Sequence, residues 1–341
     1  MLATTALCLV ASPQHVMPGH PESPKRLDTL AAWLGRGGKG NVRWIDPRPI
    51  APEALALVHP STYLSALQAA GRDGPGYIDP APTYVTPASY ASARMAAGGT
   101  LAVLEAMLDG EANAGFAVVR PPGHHATPDR AMGFCLMNNL ALAARQAQAR
   151  GLPRVVIFDF DVHHGNGTQA GFESDPDVLY ISTHQEGIYP LTGWGEETGK
   201  GAGEGTVINI PLPGGTGDAG LLGIADQILA PAAERFRPDI LLVSAGFDAH
   251  WRDPLAGLQV TTAGYLALAQ RLKQLADNLC AGRVLFALEG GYDEEVLAEG
   301  VLACLAAFGE DADSPDELGP APYPEPDIRD RIDRARSLHS L

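Results

Sequence analysis

The strongest constraint on the fold of this chain is an alternation. Short runs rich in Val, Ile and Phe recur along the 341 residues, separated by longer stretches rich in Ala and Leu. Thr5–Val10, Phe116–Val119, Val155–Phe158, Val178–Ile181, Val207–Ile210, Ile240–Val243 and Val284–Leu288 read as strands. Ala88–Leu108, Met137–Ala149, Leu221–Phe236 and Ala263–Asn278 read as helices. The strand runs are too uniformly apolar to keep one face wet. They therefore predict a parallel sheet covered by helices on both sides, an α/β fold. No fixed-period repeat and no linker splits the chain, so one domain over 1–341 is expected, with its core over about 6–307. The stretch Gly309–Pro326, rich in Pro, Asp and Glu, reads as an irregular connection to a short terminal helix near Ile328–Ser337.

Composition excludes several classes. The 24 Lys and Arg against 40 Asp and Glu give a net charge of -16, which argues against a nucleic-acid partner. No run of about 18 apolar residues is present, so no membrane span is expected. The cysteines Cys8, Cys135, Cys280 and Cys304 are dispersed, without a C-x-x-C pair. That fits a reducing, cytoplasmic setting better than a disulfide framework or a thiolate zinc site. The apolar start Met1–Pro13 lacks a basic leading region and reads as a first buried strand rather than a signal peptide. Oligomerisation is left open.

Polar residues fall in a telling place. Phe116–Val119 runs into Arg120-Pro-Pro-Gly-His124-His125, and Val155–Phe158 into Asp159-Phe-Asp161-Val-His163-His164-Gly-Asn166. Ile240–Val243 runs into Ser244-Ala-Gly-Phe-Asp248, and Val284–Leu288 into Glu289-Gly-Gly-Tyr292. Sites in open parallel sheets form outside the carboxyl ends of strands, so these four loops should share one rim. Alternate residues of an extended chain point the same way, so Asp161 and His163 can face one point. Asp248 would complete two carboxylates and one imidazole, the ligand number of a catalytic zinc with an open position. Oxygen and nitrogen ligands also admit Fe²⁺, Co²⁺ or Mn²⁺. The paired histidines suggest proton transfer, although a second metal site would also use them. In the first reading His125 takes a proton from the attacking water and returns it to the leaving amine. Asn166 would hold its other ring nitrogen, and His124, oriented by Asp159, would act electrostatically. Tyr292, after two glycines, can donate to an oxygen gaining negative charge, or simply pack on a turn.

Together these motifs resemble the histone deacetylase family. The resemblance rests on Arg120-Pro-Pro-Gly-His-His-Ala126, Gly133-Phe134-Cys135, Asp159 to Gln169, Ser244 to Ala249 and Glu289-Gly-Gly-Tyr292. Gly19-His-Pro-Glu-Ser-Pro-Lys-Arg26 looks like the family's N-terminal motif. The likeness runs in order from about Ala6 to about Ala307, and Asn166 is similar to the class II branch and its bacterial amidohydrolase relatives. It implies the arginase–deacetylase fold, with one eight-stranded parallel sheet between helices. It implies zinc on Asp161, His163 and Asp248, and a structural potassium ion near Asp159 and Ser182. It implies a narrow tunnel lined by Gly133, Phe134, Tyr189 and Leu255, and an inner cavity at Arg26 that handles acetate. The implied partner is an acetylated amine, either acetyl-lysine or an acetylpolyamine. Leu255 stands where polyamine-preferring relatives of one type have an acidic residue, and Pro82 stands where many relatives have one. Cys135 reads as a packing residue beside the tunnel rather than a nucleophile.

Two rival classes remain. A ureohydrolase of the same fold would need a second metal with a further Asp after His163, where His164-Gly-Asn166 stands, and another after Asp248, where Ala249-His250 stands. A non-catalytic acyl-amine binder would not need every one of these groups. The Gly-rich stretch Gly199–Gly205 matches no phosphate-binding fingerprint and reads as a mobile loop.

Overall fold

A computed structural model describes residues 4–35, 42–309 and 316–341. Its main sheet has eight strands: β1 (Thr5–Val10), β2 (Val42–Trp44), β3 (Ala114–Val119), β4 (Val155–Asp159), β5 (Val178–Gln185), β6 (Val207–Leu212), β7 (Ile240–Ala245) and β8 (Val284–Leu288). The spatial order is β2-β1-β3-β8-β7-β4-β5-β6, and every neighbouring pair is parallel. The expected α/β class and eight-stranded parallel sheet are therefore present. The strand β2 carries no long apolar run, which is why hydrophobicity alone does not reveal it.

Both faces of the sheet are buried, and they divide by parity along each strand. Leu7, Phe116, Val118, Val156 and Phe158 enter one apolar cluster. Ala6, Cys8, Ala117, Val119, Val155 and Ile157 enter the other. This is the two-residue period of a strand with helices on either side. The helices Ser89–Leu108, Asn139–Ala149 and Thr262–Leu279 match the expected ones to within two residues. Caps fix two of these starts: Asn138 accepts from Ala141 N–H, and Thr261 from Gly264 N–H.

The expected helix Leu221–Phe236 is instead a helical run from Asp218 with a π turn at Ala225–Leu229. Pro231 has no N–H to return to the preceding turn, and the backbone passes it in the wider geometry. Helices Ser61–Asp73 and Glu294–Phe308 were not expected. The second is apolar on nearly all sides, so it carries little 3.6-residue contrast. Gly199–Gly205 is a hydrogen-bonded turn rather than a free loop: Lys200 N–H donates to Glu173 O at 2.5 Å, and Gly201–Gly203 forms a 3₁₀ turn. The terminal helix runs Arg329–His339, and Glu325 ahead of it accepts from the N–H groups of Gly217, Ala219 and Gly220. Residues 310–315 of the acidic connection lie outside the described residues. None of the described helices is long and apolar enough to cross a membrane.

Candidate active site

The four strands whose ends carry the polar motifs are β3, β8, β7 and β4, four consecutive strands at the centre of the sheet. Their parallel direction brings all four loops to one rim. On β4, Asp159 is the last strand residue and pairs in register with Ser182 of β5 and Ser244 of β7.

Beyond Asp159 the chain turns through Asp161 and His163. Asp161 Oδ1 accepts from His163 N–H at 2.9 Å and lies 3.2 Å from His163 Nδ1. Asp161 Oδ2 accepts from Gly290 N–H at 2.7 Å. From β7, Asp248 Oδ1 accepts from Val162 N–H at 3.0 Å. Its Oδ2 sits 3.2 Å from His163 Nδ1 and is buried without a hydrogen-bond partner. One ligand atom from each of Asp161, His163 and Asp248 lies within 4.8 Å of the others. Burial pushes the His163 pKa down, yet the two carboxylates outweigh it and raise it to about 10. An orphaned carboxylate oxygen in a buried, converging set of two oxygens and one nitrogen is the donor arrangement that suits a divalent cation. Gly290 makes it possible, because a Cβ there would lie 2.0 Å from Asp248 Oδ2.

The rings of His124 and His125 lie tilted against each other, with centres 4.0 Å apart. His124 Nδ1 faces Asp159 Oδ2 at 3.1 Å. Burial works against its proton, but the charges of Asp161, Asp159 and Glu289 raise its pKa to about 10. His125 goes the other way, held well below its usual value by burial and by the charges on His124 and His163. Its Nδ1 lies 2.7 Å from Asn166 Oδ1. An amide oxygen only accepts, so Nδ1 holds the proton and Nε2 is left basic. Two adjacent imidazoles are thus driven apart, one charged and one neutral, a pattern suited to acid–base work.

A cavity of about 180 Å³ opens onto these groups. His124, His125, His163 and Tyr292 line it together with Gly133, Phe134, Tyr189 and Leu255, and Pro82 stands at its rim. Gly133 has φ +55°, and a Cβ there would lie 2.3 Å from the His125 ring, so no larger residue fits beside the histidine. Phe134 meets the Tyr292 ring edge to face at 5.9 Å, and Tyr189 meets His125 likewise at 5.1 Å. Burial keeps the Tyr292 phenol protonated, with its pKa well above the usual value.

The remaining expected residues stand behind this wall. Arg26 is buried; its Nε and one terminal nitrogen each donate at 2.6 Å, to the carbonyls of Gly291 and Glu289. Its guanidinium also lies 4.8 Å from the Tyr292 ring centre. Ser182, beside Asp159, turns its hydroxyl to His184 Nδ1 at 2.9 Å. Cys135 is buried, and its thiol donates to Gly133 O at 3.3 Å. All four cysteines are free.

Three residues near the site have no role in the sequence reading. Asp253 accepts from Tyr292 N–H at 2.7 Å and from Leu255 N–H at 2.9 Å, joining the two loops that flank the cavity. Glu289 Oε2 accepts from Gly123 and His124 N–H at 2.6 and 3.0 Å. Glu22 accepts from Arg120 at 2.5 and 2.8 Å. Glu289 directly follows a buried strand, a position that could have flagged it. Nothing local marks Glu22 or Asp253, because the partners that tie them to the site, Arg120 and Tyr292, lie far along the chain.

Comparison with known proteins agrees with this geometry. Residues 20–308 match the family model described as the histone deacetylase domain. The chain is 43% identical over 360 residues to "Histone deacetylase 10, chloroplastic" of Oryza sativa subsp. japonica, covering 98% of this chain and 80% of that protein. It is 42% identical over 281 residues to the "Histone deacetylase-like amidohydrolase" of Pseudomonas aeruginosa, covering 81% and 73%. A "Probable deacetylase" of Archaeoglobus fulgidus is 39% identical over 298 residues, covering 85% and 82%. The solved structure of the "HDA15 HD domain" superposes with a TM-score of 0.87 at 36% identity, covering 98% of this chain and 95% of that one.

Proposed function

The chain belongs to the histone deacetylase family, and from that premise we propose that it is a zinc-dependent amidohydrolase that cleaves an N-acetyl amide to acetate and free amine. The observation that carries this reading is the cluster of Asp161, His163 and Asp248, with its unpartnered buried Oδ2, beside a narrow cavity and two oppositely poised histidines. Those three residues would hold the ion. When bound, zinc polarises the acyl carbonyl and brings the pKa of water to about 7.

The chain's own groups do the rest. His125 Nε2 accepts a proton from the attacking water and later gives one to the leaving amine, a contribution of roughly 10²–10⁴ in rate. Asn166 keeps that ring in the tautomer required, and His124, charged and held by Asp159, stabilises negative charge as it forms. The Tyr292 hydroxyl donates to the carbonyl oxygen in the transition state. Its loss costs about 2.7–4 kcal/mol in such sites. Gly133, Phe134, Tyr189 and Leu255 take the acylated side chain and exclude water. Arg26 holds the Glu289 and Gly291 carbonyls and so fixes the loop carrying Tyr292, next to an inner cavity for acetate. Asp159 and Ser182, paired in register on neighbouring strands, would stand at the structural potassium ion that the family resemblance implies. The chain acts as one deacetylase domain.

The test is acetate release by the zinc-loaded protein from an acetyl-lysine peptide and an acetylpolyamine, with and without a chelator. Release abolished by the chelator and reduced about 10²–10³-fold by Tyr292→Phe, with zinc retained in that variant, supports the reading. The ratio of kcat/KM values assigns the amine class. One zinc per chain without release from either amide points to a binder, and two tightly held ions with urea-forming activity to a ureohydrolase.

A further inference from the structure

A second group of metal-ligating side chains lies behind the first. A ring nitrogen of His124, the sulfur of Cys135 and a carboxylate oxygen of Glu289 all lie within 4.8 Å of one another, and all three residues are buried. Glu289 is 0% exposed; its Oε2 is occupied by two backbone N–H groups, while Oε1 is buried with no partner. A buried carboxylate oxygen left without a donor is costly unless a cation or proton meets it. His124 Nδ1 is engaged by Asp159, so Nε2 is the nitrogen free to ligate. That nitrogen is 3.8 Å from Asp161 Oδ1, so the group shares a wall with the Asp161–His163–Asp248 cluster.

We propose that His124, Cys135 and Glu289 form a second, inhibitory site for a zinc-like divalent cation. One nitrogen, one sulfur and one oxygen form a donor set that favours zinc over magnesium or calcium. Binding displaces two protons to solvent, one from the Cys135 thiol and one from Nε2 of the charged His124 ring, so occupancy rises with pH. The ion takes the place of the Nε2 proton of charged His124, so that ring no longer offers an N–H to negative charge forming beside it. Deacetylation therefore falls when the second site fills. The proposal rests on the geometry of this group and not on the reaction assigned to its neighbour.

Metal-free protein titrated with Co²⁺ reads the two sites apart. Asp161, His163 and Asp248 include no thiolate, so the first equivalent gives no sulfur-to-cobalt charge-transfer band. The second equivalent should raise that band in the near ultraviolet. Cys135→Ser should abolish it, and Glu289→Gln should need about tenfold more metal to reach it, the effect of losing one supporting ligand. In the zinc enzyme, a second equivalent should lower activity about tenfold or more. The same addition should leave Cys135→Ser near its own one-zinc rate. Saturation at one cobalt per chain, or a band that survives Cys135→Ser, overturns the proposal. The wild-type titration alone can do so if a variant fails to fold. A thiolate band without amide hydrolysis would leave this site standing and remove the proposed function; hydrolysis without the band does the reverse.

Discussion

Two buried ionic clusters of this protein are built on opposite principles. In one, the Glu22 carboxylate is matched: Arg120 grips both oxygens, Arg26 approaches at 3.3 Å, and the Tyr84 hydroxyl donates as well. In the other, Asp161 and Asp248 face one imidazole, and the Asp248 oxygen 3.2 Å from it makes no hydrogen bond. Both clusters are out of water, where an unbalanced charge is expensive. The matched cluster is complete within the protein and fastens the segment around His15 and Glu22 to the start of the histidine loop. The unmatched one is completed only by something positive. Balance of charge, rather than burial, separates the structural cluster from the candidate site.

The comparison is broken most severely at Asp248. Asp248→Asn should lose zinc and reduce deacetylation by roughly 10³-fold or more, since a metal contributes several kcal/mol to the transition state. The metal-free variant should melt no lower than metal-free wild type, because one of two facing like charges is gone. Unchanged zinc content by elemental analysis would remove Asp248 from the ligand set.

The same neutralisation in the matched cluster should act on stability instead. Glu22→Gln leaves Arg120 and Arg26 buried without their anion and should cost about 3–5 kcal/mol, read by urea unfolding, with zinc stoichiometry unchanged. Burial alone would raise the pKa of Glu22, but the charge and hydrogen bonds of Arg120 outweigh it and hold it at about 2. A folded-state pKa below the unfolded one gives stability that is full above the ordinary glutamate range, near 4.5, and is lost as pH falls through about 2. Wild type should therefore lose this contribution over that window and Glu22→Gln should not. Parallel pH profiles for the two proteins would show that the charge match contributes nothing.

The unequal legibility of the two clusters has a physical cause. Asp161, His163, Asp248, His124, His125 and Tyr292 each follow a buried strand closely, and a parallel sheet sends the ends of its strands to one rim. Strand periodicity thus carried most of the site. The tunnel and Arg26 came only through resemblance to a family, because Tyr189 and Leu255 lie on irregular loops. Glu22 and Asp253 stayed hidden because, beside their local contacts, the partners that give them their place are remote in sequence: Glu22 meets Arg120 98 residues away, and Asp253 meets Tyr292 39 away. The helix Glu294–Phe308 was hidden by burial itself, which erases amphipathic contrast.

A smaller change sharpens the contrast between the two histidines. Asn166→Asp places a carboxylate on His125 Nδ1, where an amide oxygen now accepts at 2.7 Å. An added negative charge at that distance raises an imidazole pKa by about 1 unit or more. The neutral base then forms at higher pH, so the acid limb of the kcat/KM profile should move up by that amount. An unmoved limb would mean that this limb does not report His125.

The smallest effect is expected at the cavity mouth, where the comparison concerns a charge that is absent. Leu255 is 39% exposed beside the tunnel, and its neighbours Pro82, Phe134 and Tyr189 carry no charge. A polycationic amine approaching the cavity therefore meets no fixed anion at these residues, whereas a peptide backbone meets apolar surface. Leu255→Glu supplies the anion in a solvated position, where one ion pair is worth about 0.2–1 kcal/mol. The ratio of kcat/KM for an acetylpolyamine over an acetyl-lysine peptide should rise by about 1.4- to 5-fold, which is that energy expressed as a rate. The gain should shrink as salt is raised, since exposed charges are screened over about 8–10 Å at physiological strength. A salt-insensitive gain would instead mean that the longer side chain reshaped the tunnel, and amine choice would then rest on packing rather than charge.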